Sequence, residues 1–202
     1  MPTRHAALLA VALLSSACAM AESIKVTLPL KGPADSRQDA VKAEVAKIVG
    51  VAEATLAEGA LVVTLKEGKQ VGLVQIAAAL KTASAAEAVE VDESKLSLGG
   101  GFDVVLFTAA EEGSFGEGAV EGILSASGKV TVENIDAANE PVREGGETTI
   151  VRVSYLPNEG EAQKVDELRT LFAETLLTPP TAENGFGIVD IRWGVPAAEE
   201  GK

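Results

Sequence analysis

Ala40-Val-Lys-Ala-Glu-Val-Ala-Lys-Ile-Val-Gly-Val51 is the stretch on which the fold turns. Val41, Val45, Ile48 and Val49 recur at spacings of three and four, so they share one face of a helix. Gly50 ends that helix, and Val51 to Leu56 reads as a strand. Upstream, Ile24, Val26, Leu28 and Leu30 alternate, which predicts a half-buried strand. Pro33 breaks the chain, and Ser36 followed by Asp39 marks the helix start. Downstream, the turn Glu58-Gly59 leads to a third strand with Leu61, Val63 and Leu65 on one side. Val71, Val74, Ile76, Ala77 and Leu80 predict a second helix, which Gly72 weakens by ~1 kcal/mol. Val89 and Val91 open a last strand running toward Leu98. The order is β-α-β-β-α-β, the split ferredoxin-like arrangement of an antiparallel sheet with two helices on one face.

The remainder repeats that order. Strands are expected at Val104–Thr108, Lys129–Ile135, Thr149–Leu156 and Gly187–Trp193, the last with Val189, Ile191 and Trp193 alternating. Helices are expected at Gly118–Ser127 and Glu161–Leu177, the second carrying Val165, Leu168, Phe172 and Leu176 before Pro179 and Pro180 stop it. Gly99-Gly100-Gly101 separates the two parts, since three glycines are costly inside an element. Every aromatic residue (Phe102, Phe107, Phe115, Tyr155, Phe172, Phe186, Trp193) follows the triplet, so two cores are expected. The expected class is α+β, with two tandem ferredoxin-like domains at 22–98 and 102–196, a glycine linker at 99–101 and an acidic tail at 197–202. An aliphatic first core buries less apolar area per side chain than an aromatic one, so the first half is expected to melt first.

The stretch 40–51, together with Gln75-Ile-Ala-Ala-Ala-Leu80, resembles the heavy-metal-associated domain, the small module of copper chaperones and metal-pumping ATPases. The resemblance covers about 24–92 and implies the ferredoxin-like fold. That family holds a soft metal with Cys-x-x-Cys after the first strand. Here those positions fall on Ala34 and Arg37, within Lys31-Gly-Pro-Ala-Asp-Ser-Arg37. A guanidinium repels a metal cation and soft Cu(I) favours sulfur, so the resemblance implies the fold without the metal.

Residues 1–21 read as a secretory signal: Arg4 and His5, an apolar run from Ala6 to Leu14, then Ala19-Met20-Ala21 as the cleavage site. The expected product begins at Glu22 and is periplasmic or secreted. Leu14-Ser-Ser-Ala-Cys18 is a loose lipobox, so a lipoprotein anchored through Cys18 is the alternative. No stretch is long and apolar enough for a membrane span. All His, Cys and Met residues (Met1, His5, Cys18, Met20) precede Glu22. Cleavage therefore removes every thiolate and imidazole, closing off soft-metal sites and Ser-His or Cys-His nucleophiles. The chain carries 17 basic and 30 acidic residues, a net charge of −13, which losing Arg4 makes one unit more negative. Such a surface repels nucleic acid.

Gly113, Gly116, Gly118 and Gly122 have the placement of a phosphate loop, but Glu111, Glu112, Glu117 and Glu121 crowd the segment and repel phosphate. Those glutamates are instead an alternative hard-cation site, without EF-hand spacing. No motif marks a Ser-Lys dyad or a carboxylate pair; an enzyme using only carboxylate, Lys or Ser is the second alternative. Tyr155 and Trp193 read as core or sheet surface of the second half. The expectation is an exported, non-catalytic binding or structural protein. It needs no cofactor and binds a protein or small ligand at an exposed sheet face or edge.

Overall fold

The computed structural model describes residues 23–84, 88–99, 101–108, 128, 130–138, 147–155, 163–175 and 186–194. The fold is mixed α+β, with antiparallel sheets and few helices. Strand β1 (Lys25–Lys31) buries Val26 and Leu28 and exposes Lys25 and Thr27, as its alternation dictates. A 3-10 turn at Asp35–Arg37 leads into α1 (Gln38–Val45), whose Val41 and Val45 have no exposed surface. The regular helix stops earlier than the apolar pattern predicts. Ile48 still packs on the core, but Val49 is 77% exposed. Gly50 makes the turn at φ +109°, a backbone conformation other residues avoid, and its carbonyl accepts the Lys66 N–H at 2.7 Å. That turn delivers Val51 to β2 (Val51–Ala57), which forms a hairpin with β3 (Ala60–Leu65).

The expected second helix begins two residues late. Val71–Gly72 is a strand of its own, β4, and α2 runs Leu73–Ser84. Ile76 and Leu80 are buried as expected, whereas Val74 is 54% exposed. The expected strand from Val89 toward Leu98 is divided into β5 (Glu90–Val91) and β6 (Ser97–Leu98). The first sheet has the order β2-β3-β1-β5. One face of it packs with α1 and α2 into the core; Lys25, Thr27, Glu53 and Thr55 stand exposed on the chain's other side.

The second sheet is built from β7 (Gly101–Thr108), β8 (Val130–Ala138), β9 (Glu147–Tyr155) and β11 (Phe186–Trp193), with β10 (Gln163–Lys164) and α3 (Val165–Thr175) between the last two strands. Its order is β4-β11-β7-β9-β8. Val165 and Leu168 on α3 are fully buried, and so are Val104, Leu106 and Ile191 on the sheet. The helix expected at 118–127 lies outside the described residues. Gly101, expected in the linker, begins β7 and pairs with Ser154.

Among the described residues three strands carry an extra residue. Ala52 interrupts the pairing of β2, Glu133 that of β8, and Val189 that of β11. A bulge reverses which face the following residues occupy. Ile188 packs against the same core as Ile191 and Trp193, with the bulge lying between them.

The two halves interlock reciprocally. β4, just before α2, pairs with Arg192 and Trp193 of β11; β10, just before α3, pairs with Ser97 and Leu98 of β6. The Gln70 amide donates to the Gly194 carbonyl at 3.2 Å, and the Val165 N–H donates to that of Leu96 at 3.2 Å. The buried side chains of both halves, from Val26 to Trp193, form one contiguous cluster.

Candidate functional site

One recess among the described residues is lined by α2 and by the segment that follows it. Leu73, Ala77, Lys81 and Ser84 recur at helical spacing and form one stripe of α2. Opposite them run Ala88 to Ser94, with Lys31 of β1 at one side. The cleft between has a volume of about 870 Å³, within the range of small-molecule sites. Leu73, Val89 and Val91 give it a buried apolar floor, and Ala77 stands exposed on its wall. The Ser84 hydroxyl fixes its inner end. It donates to the Leu80 carbonyl at 2.5 Å and accepts the Val89 N–H at 2.9 Å, tying the end of α2 to the chain entering β5.

Each acid on the rim has a cation of its own. Lys31 Nζ lies 2.9 Å from Glu90 Oε2, Lys95 Nζ lies 2.8 Å from Asp92 Oδ2, and Arg169 Nη2 lies 3.0 Å from Glu93 Oε2. The Ser94 hydroxyl also donates to Asp92 at 2.6 Å. Glu90, by hydrogen bond and by charge, raises the Lys31 ammonium above its ordinary range. Lys95 and then Ser94 hold the Asp92 carboxyl below its own. Arg169 belongs to α3 and also donates to the Ile188 carbonyl at 3.3 Å, so one wall of the cleft is moored to the second half. Lys81 is exposed and has no acid partner among the described residues.

A smaller recess of about 450 Å³ lies where the halves meet, lined by Gln70, Gly72, Val74, Gln75, Asp190 and Arg192. Its polar groups are committed to structure. Asp190 Oδ1 accepts the N–H groups of Val74 at 3.0 Å and Ile191 at 2.9 Å, and Oδ2 faces Arg192 Nε at 3.3 Å. Beside it Asp103, 2% exposed, accepts from Arg152 Nε at 3.0 Å and from the Gln70 amide. Strand register sets Arg192, Asp103 and Arg152 in one row, a carboxylate between two guanidinium groups. A buried carboxylate held this way is a brace rather than a reactive group.

The residues singled out from sequence are elsewhere. Ala34 is 4% exposed and packs into the core; Arg37 follows it, half-buried, with its N–H on the Ala34 carbonyl. An inward methyl and a guanidinium offer a cation nothing, whatever the metal. Glu111, Glu112, Glu117 and Glu121 lie outside the described residues, as do Cys18 and the rest of residues 1–21. Among the described residues no group of three or more His, Cys, Asp or Glu is placed to hold a metal ion. Trp193 is core, 2% exposed. Sequence reading missed the cleft, because its lining is small or charged and carries no motif. No family model, characterised protein or solved structure matches this chain.

Proposed function

We propose that this is an exported, non-catalytic binding protein and that the cleft between α2 and the Ala88–Ser94 segment is its binding site. The cleft carries the reading: an apolar floor inside a rim whose acids are each neutralised by a cation, a surface suited to holding a molecule rather than transforming it. A sheet edge is a poorer dock. The long outer strands β2 and β8 each carry a bulge, with Glu53 beside that of β2 and Glu133 within that of β8, and such features discourage strand addition. The exposed face of the first sheet remains as a second surface, with Lys25, Thr27, Glu53 and Thr55 upon it.

In the same reading each half is a ferredoxin-like unit. The orders β2-β3-β1-β5 and β11-β7-β9-β8 support it, since in both the first and third strands are central and adjacent. The first unit is a heavy-metal-associated-like module that keeps the scaffold and has exchanged its thiolates for Ala34 and Arg37. Export with cleavage after Ala21 follows from Ala19-Met20-Ala21. Intact mass of protein from the native host tests that step, and a diacylated Cys18 at the N-terminus would refute it.

The binding reading is tested with N-phenylnaphthylamine, a neutral apolar dye whose emission rises out of water. The exported protein should bind it with one-to-one stoichiometry. Ala77→Trp, which fills the cleft from an exposed helix position, should abolish the signal without unfolding the protein. Binding unchanged by Ala77→Trp, or absent from the unaltered protein, would overturn the reading.

A further inference from the structure

Lys81 is the odd charge in the cleft. The rim acids Glu90, Asp92 and Glu93 are matched by Lys31, Lys95 and Arg169 at 2.9, 2.8 and 3.0 Å. Counting each pair as neutral leaves one positive charge among the described lining residues, the Lys81 ammonium. It stands one helical turn from Ala77 and two from Leu73, above the apolar floor. We infer that the cleft selects a small amphipathic anion, an apolar body bearing one carboxylate or sulfonate, with the body over Leu73, Val89 and Val91 and the anionic group on Lys81. The inference rests on the reading of the cleft as the binding site and adds the chemical class of its occupant.

Two physical points favour an anion over a neutral or cationic ligand. A cationic head would meet Lys81 with no unpaired acid among the described lining residues to receive it, because pairing has used Glu90, Asp92 and Glu93. A neutral amphiphile would gain the floor but leave the ammonium to water. The chain as a whole argues the other way, since its net charge of −13 repels anions at long range. That field is screened beyond about 8 Å at physiological salt, while a contact at Lys81 lies within that distance. A preference for anions is therefore local in origin and opposite to what net charge predicts.

Matched dyes test this on the exported protein. Anilinonaphthalenesulfonate has the rings of N-phenylnaphthylamine plus one sulfonate. The unaltered protein should bind the sulfonated dye about fivefold more tightly, the upper end for an exposed ion pair. Lys81→Met keeps the length of the side chain and removes its charge. It should erase the preference and leave the neutral dye's affinity unchanged. Lys66→Met, an equal change of charge at an exposed lysine that does not line the cleft, should keep the preference. Equal affinity for both dyes, or a preference that survives Lys81→Met, would overturn the anion assignment. The cleft itself would then stand if Ala77→Trp still removed the neutral dye. If neither dye is displaced by Ala77→Trp, the site reading fails and this inference with it.

Discussion

Replacing Val41 by alanine tests whether the two halves unfold as one. Val41 lies on α1 in the first half, has no exposed surface, and belongs to the same contiguous core as Trp193. Two methyl groups are lost. Their transfer term is about 1.6 kcal/mol at ~0.8 kcal/mol each. A partly relaxed cavity adds about 1 kcal/mol. Alanine returns about 0.5 kcal/mol of helix propensity, since the β-branched valine is the poorer helix former. The net loss is about 2 kcal/mol, which lowers the melting midpoint by roughly 4–8 °C in a chain of this size. Trp193 is the only tryptophan and lies in the second sheet, so its fluorescence reports that sheet and its junction with β4, away from α1. Far-UV circular dichroism reports both halves. With one core, both signals should shift by the same amount in a single transition, although Val41 belongs to the other half. A fluorescence midpoint that stays put while the dichroism curve moves or divides would refute the reasoning and restore two independent units.

Asp103→Ala should cost about 3 kcal/mol in urea unfolding, because it strands Arg152 and Gln70 around a buried position; a loss under about 1 kcal/mol would mean that water replaces the carboxylate. Gly194→Ala should destabilise by about 2 kcal/mol. Gly194 has φ +96° and a Cβ there would meet the Lys69 carbonyl oxygen, so an unchanged melting curve would show that the β4–β11 junction is not closed in solution. The rim pairs give opposite pH limbs. The Asp92 contribution is present above the ordinary carboxyl value of 3.8 and is lost as pH falls through its lowered folded value. The Lys31 contribution is present below 10.5 and is lost as pH rises through its raised folded value. The melting difference between the unaltered protein and Asp92→Asn should therefore shrink as pH falls into acid, and that for Lys31→Met as pH rises into alkali; a difference that changes near neutrality would contradict both assignments.

Where an element is long enough to show a period, the sequence pattern and the structure agree. The alternation of Val26 with Leu28 and of Leu61 with Val63 and Leu65 sets the buried face of the first sheet. Val41 with Val45, and Val165 with Leu168, do the same for helices. The departures have definite causes. A strand of two residues has no period, so β4 was absorbed into the expected helix and β10 into the helix expected from Glu161. Gly72, a poor helix former, was the available sign that Val71 belongs outside α2. A bulge adds a residue that alternation cannot count, and the one in β11 puts Ile188 against the core out of step with Ile191 and Trp193. The sorting of aromatics after Gly101 is real, but it reflects where large side chains fall within one core. Phe102 and Trp193 pack in the same cluster as Leu28 and Leu61.

The cleft was illegible for a different reason. A catalytic or metal site announces itself through rare residue types at fixed spacing, and the sequence carries none after Glu22. A binding cleft needs only shape and unbalanced charge, and both depend on partners distant in the chain. Glu93 looks like one more acid in an acidic chain until Arg169, 76 positions away, is seen to neutralise it. Lys81 looks like one more exposed helical lysine until the three acids facing it are each found to have another partner. The information lies in the pairing, which the fold creates by bringing α3 against the segment after β5. It follows that the reciprocal contacts of β4 and β10 do more than stabilise. Weakening them at Gly194 or Val165 should release Glu93 from Arg169 and give Lys81 a nearby carboxylate to satisfy, so the anion preference of the cleft depends on the halves staying together.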